Sequence, residues 1–189
     1  RLVATIGDVA GHGLPTGLLM ASLNSAATAL LREGHGGGPL LTRLNRLLIE
    51  QWPGRTMATF AVVELDPEGR RLRVASAGHP PPYYLGPGGR VEELPGGSLP
   101  LGMARHRPAL TEHVLEPGAR VLLYSDGLVE GTDADGEPFG YGRLQRTLEE
   151  LGPLPPTELV AGVLARFDAH TGDSSPADDL TVIALAVAP

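Results

Sequence analysis

Three aspartates stand in short, turn-like settings far apart along the chain: Asp8 in GDVAGHG, Asp126 in SDG and Asp178 in ADDLT. Each borders an apolar stretch of strand character: LVATI before Asp8, RVLLY before Asp126 and LTVIALAVA after Asp178. Strand ends hold ligands rigidly. Carboxylates that converge from such distant segments suit a hard cation, and an all-oxygen set selects Mg2+ or Mn2+ over zinc, which recruits histidine or cysteine. Two such ions close together would lower the pKa of a bridging water and clamp phosphoryl oxygens, so phosphoester hydrolysis is the chemistry this set could do. Taken singly, an Asp-Gly is as readily a turn as a ligand.

The elements that must position these aspartates follow from periodicity. A helix is predicted over 15–32, with Pro15 in its first turn, an apolar face of Leu19, Leu23, Ala26, Ala27, Leu30 and Leu31, and Gly34 as its stop. After GHGGGP, leucines 40, 41, 44, 47 and 48 mark a second helix over 39–51. Two such helices in succession would cover one sheet face. TMATFAVVEL and RLRVASAG, separated by DPEGR, read as a hairpin. HPPPYYLGPGGRVEEL reads as two short strands about a Gly-rich turn, and RVLLYSDG follows after a long connector. Helices are predicted over 142–151 and 156–170, and a last strand over 180–187. Strands in the middle with helices grouped at the ends indicate an α+β fold, sheet packed on sheet with helices outside.

Composition removes whole classes of function. All 15 basic side chains are arginine, so no Schiff-base or P-loop lysine exists and GDVAGHG is not a Walker loop. There is no cysteine, hence no disulfide, thiolate nucleophile or Cys-based zinc site. A net charge of -7 without a basic cluster argues against nucleic acid. No apolar run is read as long enough to span a bilayer, and no membrane insertion is expected. The expected location is the cytoplasm.

Five segments carry a resemblance. GDVAGHG, MATFAVVELDPEGRRLRVASAGHPPPYYL, SLPLGM, LEPGARVLLYSDGLVEGTDADGEPFGYGRL and ADDLTVIAL occur in the order seen in the PPM, or type 2C-like, metal-dependent serine/threonine phosphatases. The chain resembles their bacterial stage II sporulation E, sigma-regulation branch over nearly its whole length. The resemblance implies a β-sandwich of two antiparallel sheets flanked by helices, binding two ions of Mg2+ or Mn2+. It implies that Asp8 bridges both ions, that the Val9 carbonyl binds one, and that Asp126 and Asp178 bind the other. Asp179 is the alternative to Asp178, and Gly127 and His12 fall beside the metals or just behind their ligands. No side-chain nucleophile is required, because a metal-bound hydroxide would attack the phosphorus.

The implied substrate is phosphoserine or phosphothreonine on a regulatory protein such as an anti-sigma-factor antagonist, with a sensor domain upstream in the parent chain. The rival reading is a catalytically silent PPM-like domain that binds a partner or senses a signal; a third is a phosphatase of small phosphoesters. The family's acidic GGDxxD-like stretch upstream of GDVxGHG is not present here, so residues 1–189 are expected to be one PPM-type domain truncated at its N-terminus, lacking N-terminal strands and belonging to a larger protein. Eukaryotic relatives carry a candidate acid histidine where Ala10 stands, and His12 is not assigned that role. His79 in AGHPPP is read as fixing a turn, and DADGE at 133–137 as a surface turn rather than a calcium loop.

Overall fold

The computed structural model describes residues 1–52, 56–68, 70–103, 108–152, 154–172 and 178–188. In chain order the elements are β1 (Leu2–Val9), α1 (Leu14–Arg32), α2 (Gly37–Gln51), β2 (Ala58–Leu65), β3 (Arg71–Ala77), β4 (Tyr83–Leu85) and β5 (Val91–Glu93). There follow β6 (Leu110–Val114), β7 (Arg120–Tyr124), α3 (Gly127–Glu130), α4 (Gly140–Leu151), α5 (Pro156–Thr171) and β8 (Val182–Ala186). Helices α1, α2, α4 and α5 begin within two residues of the starts that periodicity predicts, the usual uncertainty of a helix end.

The chain forms two compact units, Arg1–Pro81 with Pro95–Val114, and Pro82–Leu94 with Leu115–Pro189. The first holds an antiparallel sheet in the order β1-β2-β3-β6. Leu19, Leu23 and Ala27 of α1 and Leu40, Leu41, Leu44 and Leu48 of α2 form one core with Phe60, Val62 and Ala75 of the sheet. Each such buried leucine stabilises the fold by about 1.5–3 kcal/mol. Two helices therefore do cover one face of this sheet. Contrary to expectation, α1 is by length and composition alone long and apolar enough to cross a membrane; its Leu19–Leu23–Ala27 stripe nevertheless belongs to the core just described.

Strand β6 lies within 100–119, where the sequence predicts only a connector. LTEHV alternates without a buried side, so no periodic signal marks it. Pairing with β3 makes it a strand, and the Arg71 and Arg73 guanidiniums bond the two oxygens of Glu112 at 2.9 and 3.1 Å. Those hydrogen bonds hold the Glu112 carboxyl below its ordinary pKa.

The second unit holds the antiparallel sheet β5-β4-β7-β8. Tyr83 and Tyr124 stack across β4 and β7 with ring centroids 5.9 Å apart, in one core with Leu144 and Leu148 of α4 and Leu159, Val163 and Phe167 of α5. The Tyr83 hydroxyl donates to Glu93 and that of Tyr84 to Glu116. Two antiparallel sheets with helices agree with the α+β expectation.

All four tyrosines, 83, 84, 124 and 141, have pKa values raised first by burial and then by neighbouring negative charge. The folded state thus favours the neutral phenols, a contribution to stability fully present below the unfolded tyrosine value of about 10 and lost as pH rises beyond it. In an alkaline titration followed at the tyrosinate absorbance, ionisation of Tyr83 and Tyr124 is expected well above pH 10 and in step with loss of circular dichroism. Normal ionisation of the buried pair Tyr83 and Tyr124 in the folded protein would contradict this.

Candidate metal centre

Strand β7 delivers Asp126 directly. Arg120–Tyr124 pairs with Val182–Ala186 in the register Tyr124↔Val182, which brings the segment before β8 alongside the segment after β7. Ser125 then joins the two chains three times. Its N–H donates to the Thr181 carbonyl (3.0 Å), its hydroxyl accepts from the Thr181 N–H (2.9 Å), and the same hydroxyl donates to the Asp179 carbonyl (2.9 Å). Ser125 is buried, so water does not replace these bonds cheaply.

Gly127 completes the clamp from the other side of Asp126. A Cβ at this position would lie 2.6 Å from the Asp179 carbonyl oxygen, so only glycine allows the two backbones to come this close. Asp126 caps the short helix α3 and accepts from the Gly127 N–H at 3.2 Å. The sequence marks SDG as a turn and predicts no helix directly after it, because the four residues of α3 carry no helical period.

Held this way, Asp126 and Asp178 offer carboxylate oxygens within 4.8 Å of each other. Two negative charges at about 5 Å repel by about 1 kcal/mol in water and about 3 kcal/mol at an effective dielectric of 20. Neither carboxylate has an ion-pair partner among the described residues. Asp126 is half-buried and Asp178 exposed, so a solvated divalent cation can reach both. Oxygens bound at about 2.1 Å to one Mg2+ are separated by no more than about 4.2 Å, and this pair needs little adjustment to accept one.

Asp179, the alternative ligand, contributes backbone instead: its N–H donates to Asp178 Oδ1 at 2.8 Å and its carbonyl takes the Ser125 hydroxyl. Tyr141 was not singled out by any motif. Burial raises its pKa first, then the charges of Glu130 and Asp126, which places its phenol in the field of these two carboxylates.

The remaining predicted residues lie in the first unit. Asp8 and Val9 end β1, opposite Thr59 and Ala58 of β2; Asp8 is half-buried, while the Val9 side chain belongs to the core. The strand thus runs through Asp8 instead of stopping before it. Gly11 and Gly13 follow at φ 108° and 87°, a left-handed path into α1, and His12 between them is exposed. His79 fixes a turn, as expected: its N–H donates to Ser76 Oγ and Ser76 Oγ donates back to its carbonyl. Its ring also bonds Thr59 at 2.9 Å, the residue opposite Asp8, a link that no sequence pattern announced. The 133–137 segment is a surface turn in which Asp133 Oδ1 accepts from the N–H groups of Asp135 and Glu137.

Ser125→Ala removes two side-chain hydrogen bonds and leaves the Thr181 N–H without its acceptor. It is expected to lower unfolding stability by about 1–3 kcal/mol in urea titration. Gly127→Ala should cost a comparable about 1–3 kcal/mol by forcing the Asp179 backbone away. Wild-type stability in both variants would show that the 178–181 segment is not held as described.

The whole arrangement has counterparts. Residues 1–188 match the family model of stage II sporulation protein E (SpoIIE). Phosphoserine phosphatase RsbU of Bacillus subtilis (strain 168) is 28% identical, over 95% of this chain and 54% of RsbU, so the chain spans about half the length of that relative. The structure of the RsbU and RsbW domains of Rv1364c from Mycobacterium tuberculosis superposes with a TM-score of 0.86 at 28% identity, over 99% of this chain and 52% of that one. The SiaA-PP2C domain of Pseudomonas aeruginosa shares the fold with a TM-score of 0.87 at 22% identity, over 97% of this chain and 75% of that one. The catalytic domain of the serine threonine protein phosphatase PstP, solved in complex with two manganese ions, shares it at a TM-score of 0.64 and 20% identity, over 98% of this chain and 87% of that one. A family model that runs from the first residue to the last but one, on two antiparallel sheets that superpose on PP2C domains, establishes that the chain belongs to the SpoIIE family of PPM-type domains.

Proposed function

We propose that this chain is the catalytic domain of a metal-dependent protein serine/threonine phosphatase. Its substrate would be phosphoserine or phosphothreonine on a regulatory protein such as an anti-sigma-factor antagonist. The observation that carries the reading is the Asp126–Asp178 carboxylate pair, held within 4.8 Å against its own repulsion and, among the described residues, without a cationic side chain to relieve it. Its context agrees: RsbU, a phosphoserine phosphatase by name, aligns along 95% of the chain. A catalytically silent domain would have no use for that repulsion.

Asp126 and Asp178 are assigned to hold one Mg2+ or Mn2+. Asp8, at the end of β1 in GDVAGHG, and the Val9 carbonyl would be further ligands, for the total of two ions that the family resemblance suggests. When bound, such ions supply Lewis-acid activation of water and neutralise phosphoryl oxygens. The chain's own contribution is to fix the carboxylates: Ser125 and Gly127 hold Asp178 against Asp126, while Thr59 lies opposite Asp8. Tyr141, in the field of Asp126, is a phenol on the same unit that stays protonated at neutral pH, and it is available to hydrogen-bond a phosphoryl oxygen. In a longer parent protein, an upstream sensor would control this domain.

Phosphate release from a phosphoserine peptide, with Mn2+ or with chelator, tests the proposal. Metal-dependent turnover is expected, falling about 100-fold or more in Asp126→Asn, the loss of about 3 kcal/mol of transition-state stabilisation. The same variant should weaken Mn2+ binding in calorimetric titration. A protein that binds Mn2+ but leaves the peptide intact would favour small phosphoesters, which a sugar-phosphate panel would reveal; one that binds no metal would favour the silent domain.

A further inference from the structure

The groove between α4 and α5 has no part in the chemistry above. It encloses about 370 Å³ and is lined by Arg143, Arg146, Thr147 and Glu150 of α4 with Arg166 and His170 of α5. Three guanidiniums face one carboxylate here, in a chain that carries 22 acidic against 15 basic residues.

Each guanidinium is oriented by a bond that leaves donors over. Arg143 reaches the Pro138 and Phe139 carbonyls through one terminal nitrogen, Arg146 uses Nε on the Gly142 carbonyl, and Arg166 uses one nitrogen on Glu150 at 2.8 Å. A guanidinium has five N–H donors, so most remain available. The His170 ring is positioned by the Glu137 carbonyl at 2.9 Å.

Thr147 supplies the independent observation. It is only 6% exposed, yet its hydroxyl makes no hydrogen bond among the described residues. The helical hydroxyls of Thr28, Thr42 and Thr171 each donate to the carbonyl four residues earlier, at 2.8, 2.9 and 3.2 Å. Thr147 forgoes that bond while lining the groove. The hydroxyl oxygen itself stays open to solvent and is free to donate to an acceptor in the groove.

We propose that this groove binds a tetrahedral oxyanion, the phosphate group of inorganic phosphate or of a phosphomonoester. The Thr147 hydroxyl and the remaining N–H donors of Arg143, Arg146 and Arg166 supply converging charge-assisted hydrogen bonds, which planar guanidiniums make well to phosphate. Glu150 sets the limit: it keeps Arg166 in place and disfavours a ligand that crowds its own carboxylate.

The test is calorimetric titration of inorganic phosphate, and separately of O-phosphoserine, into the protein in chelator-containing buffer at constant ionic strength. Under these conditions the acidic pair holds no metal and cannot contribute. Saturable phosphate binding is expected, weakened about ten-fold or more in the double variant Arg146→Gln/Thr147→Val, as loss of a charge-assisted hydrogen bond implies. Asp126→Asn should bind as wild type does, which separates this site from the metal centre whatever becomes of the phosphatase reading. Circular dichroism checks that the double variant is folded. Binding of both ligands makes the site one for phosphomonoesters, and binding of phosphate alone restricts it to the free anion. No saturable binding of phosphate, or equal affinity in a folded double variant, overturns the proposal.

Discussion

Two carboxylates held within 4.8 Å repel each other, and the second unit is arranged to resist that repulsion. The force acts to push the 178–181 segment off the end of β7. It is opposed by the three hydrogen bonds of Ser125 and by the antiparallel ladder between β7 and β8 that begins directly beyond them. A side chain larger than hydrogen at Gly127 would force the Asp179 backbone to shift.

The ladder in turn needs a rigid support. Leu122 and Tyr124 of β7 are wholly buried, and Tyr124 stacks on Tyr83 of β4 while α4 and α5 pack into the same core. Aromatic stacking and burial hold the strand from which Asp126 emerges, so the position of the carboxylate depends on apolar contacts that begin two residues earlier. The same packing raises the pKa of both phenols, a sign of how dry this part of the unit is. In the first unit the support is aliphatic: leucines of α1 and α2 cover the sheet from which Asp8 projects at a strand end.

Several polar side chains act chiefly through the backbone. Ser76 and His79 fix their own turn, Asp179 presents its carbonyl to Ser125, and Asp133 closes a surface turn by accepting from two N–H groups. The groove between α4 and α5 differs, because there the Thr147 hydroxyl and most guanidinium donors have no acceptor among the described residues.

The types and order of the long elements were legible in the sequence, because the leucines of α1 and α2 and the β-rich runs of β2, β3 and β7 have periods that local geometry dictates. The chemistry of the site was legible too, since carboxylates without lysine or cysteine leave few alternatives. Tertiary structure alone decided the rest. Strand β6 exists because β3 and two arginines pair with it, and α3 because Asp126 caps it. The adjacent aspartates of ADD are chemically identical in the sequence; the β7–β8 register and the Ser125 hydroxyl bring the Asp178 carboxylate to Asp126 and give Asp179 a backbone role. Likewise Thr147 looked like any helical threonine until α5 packed beside it, because whether a hydroxyl finds a partner depends on neighbours that are distant in sequence.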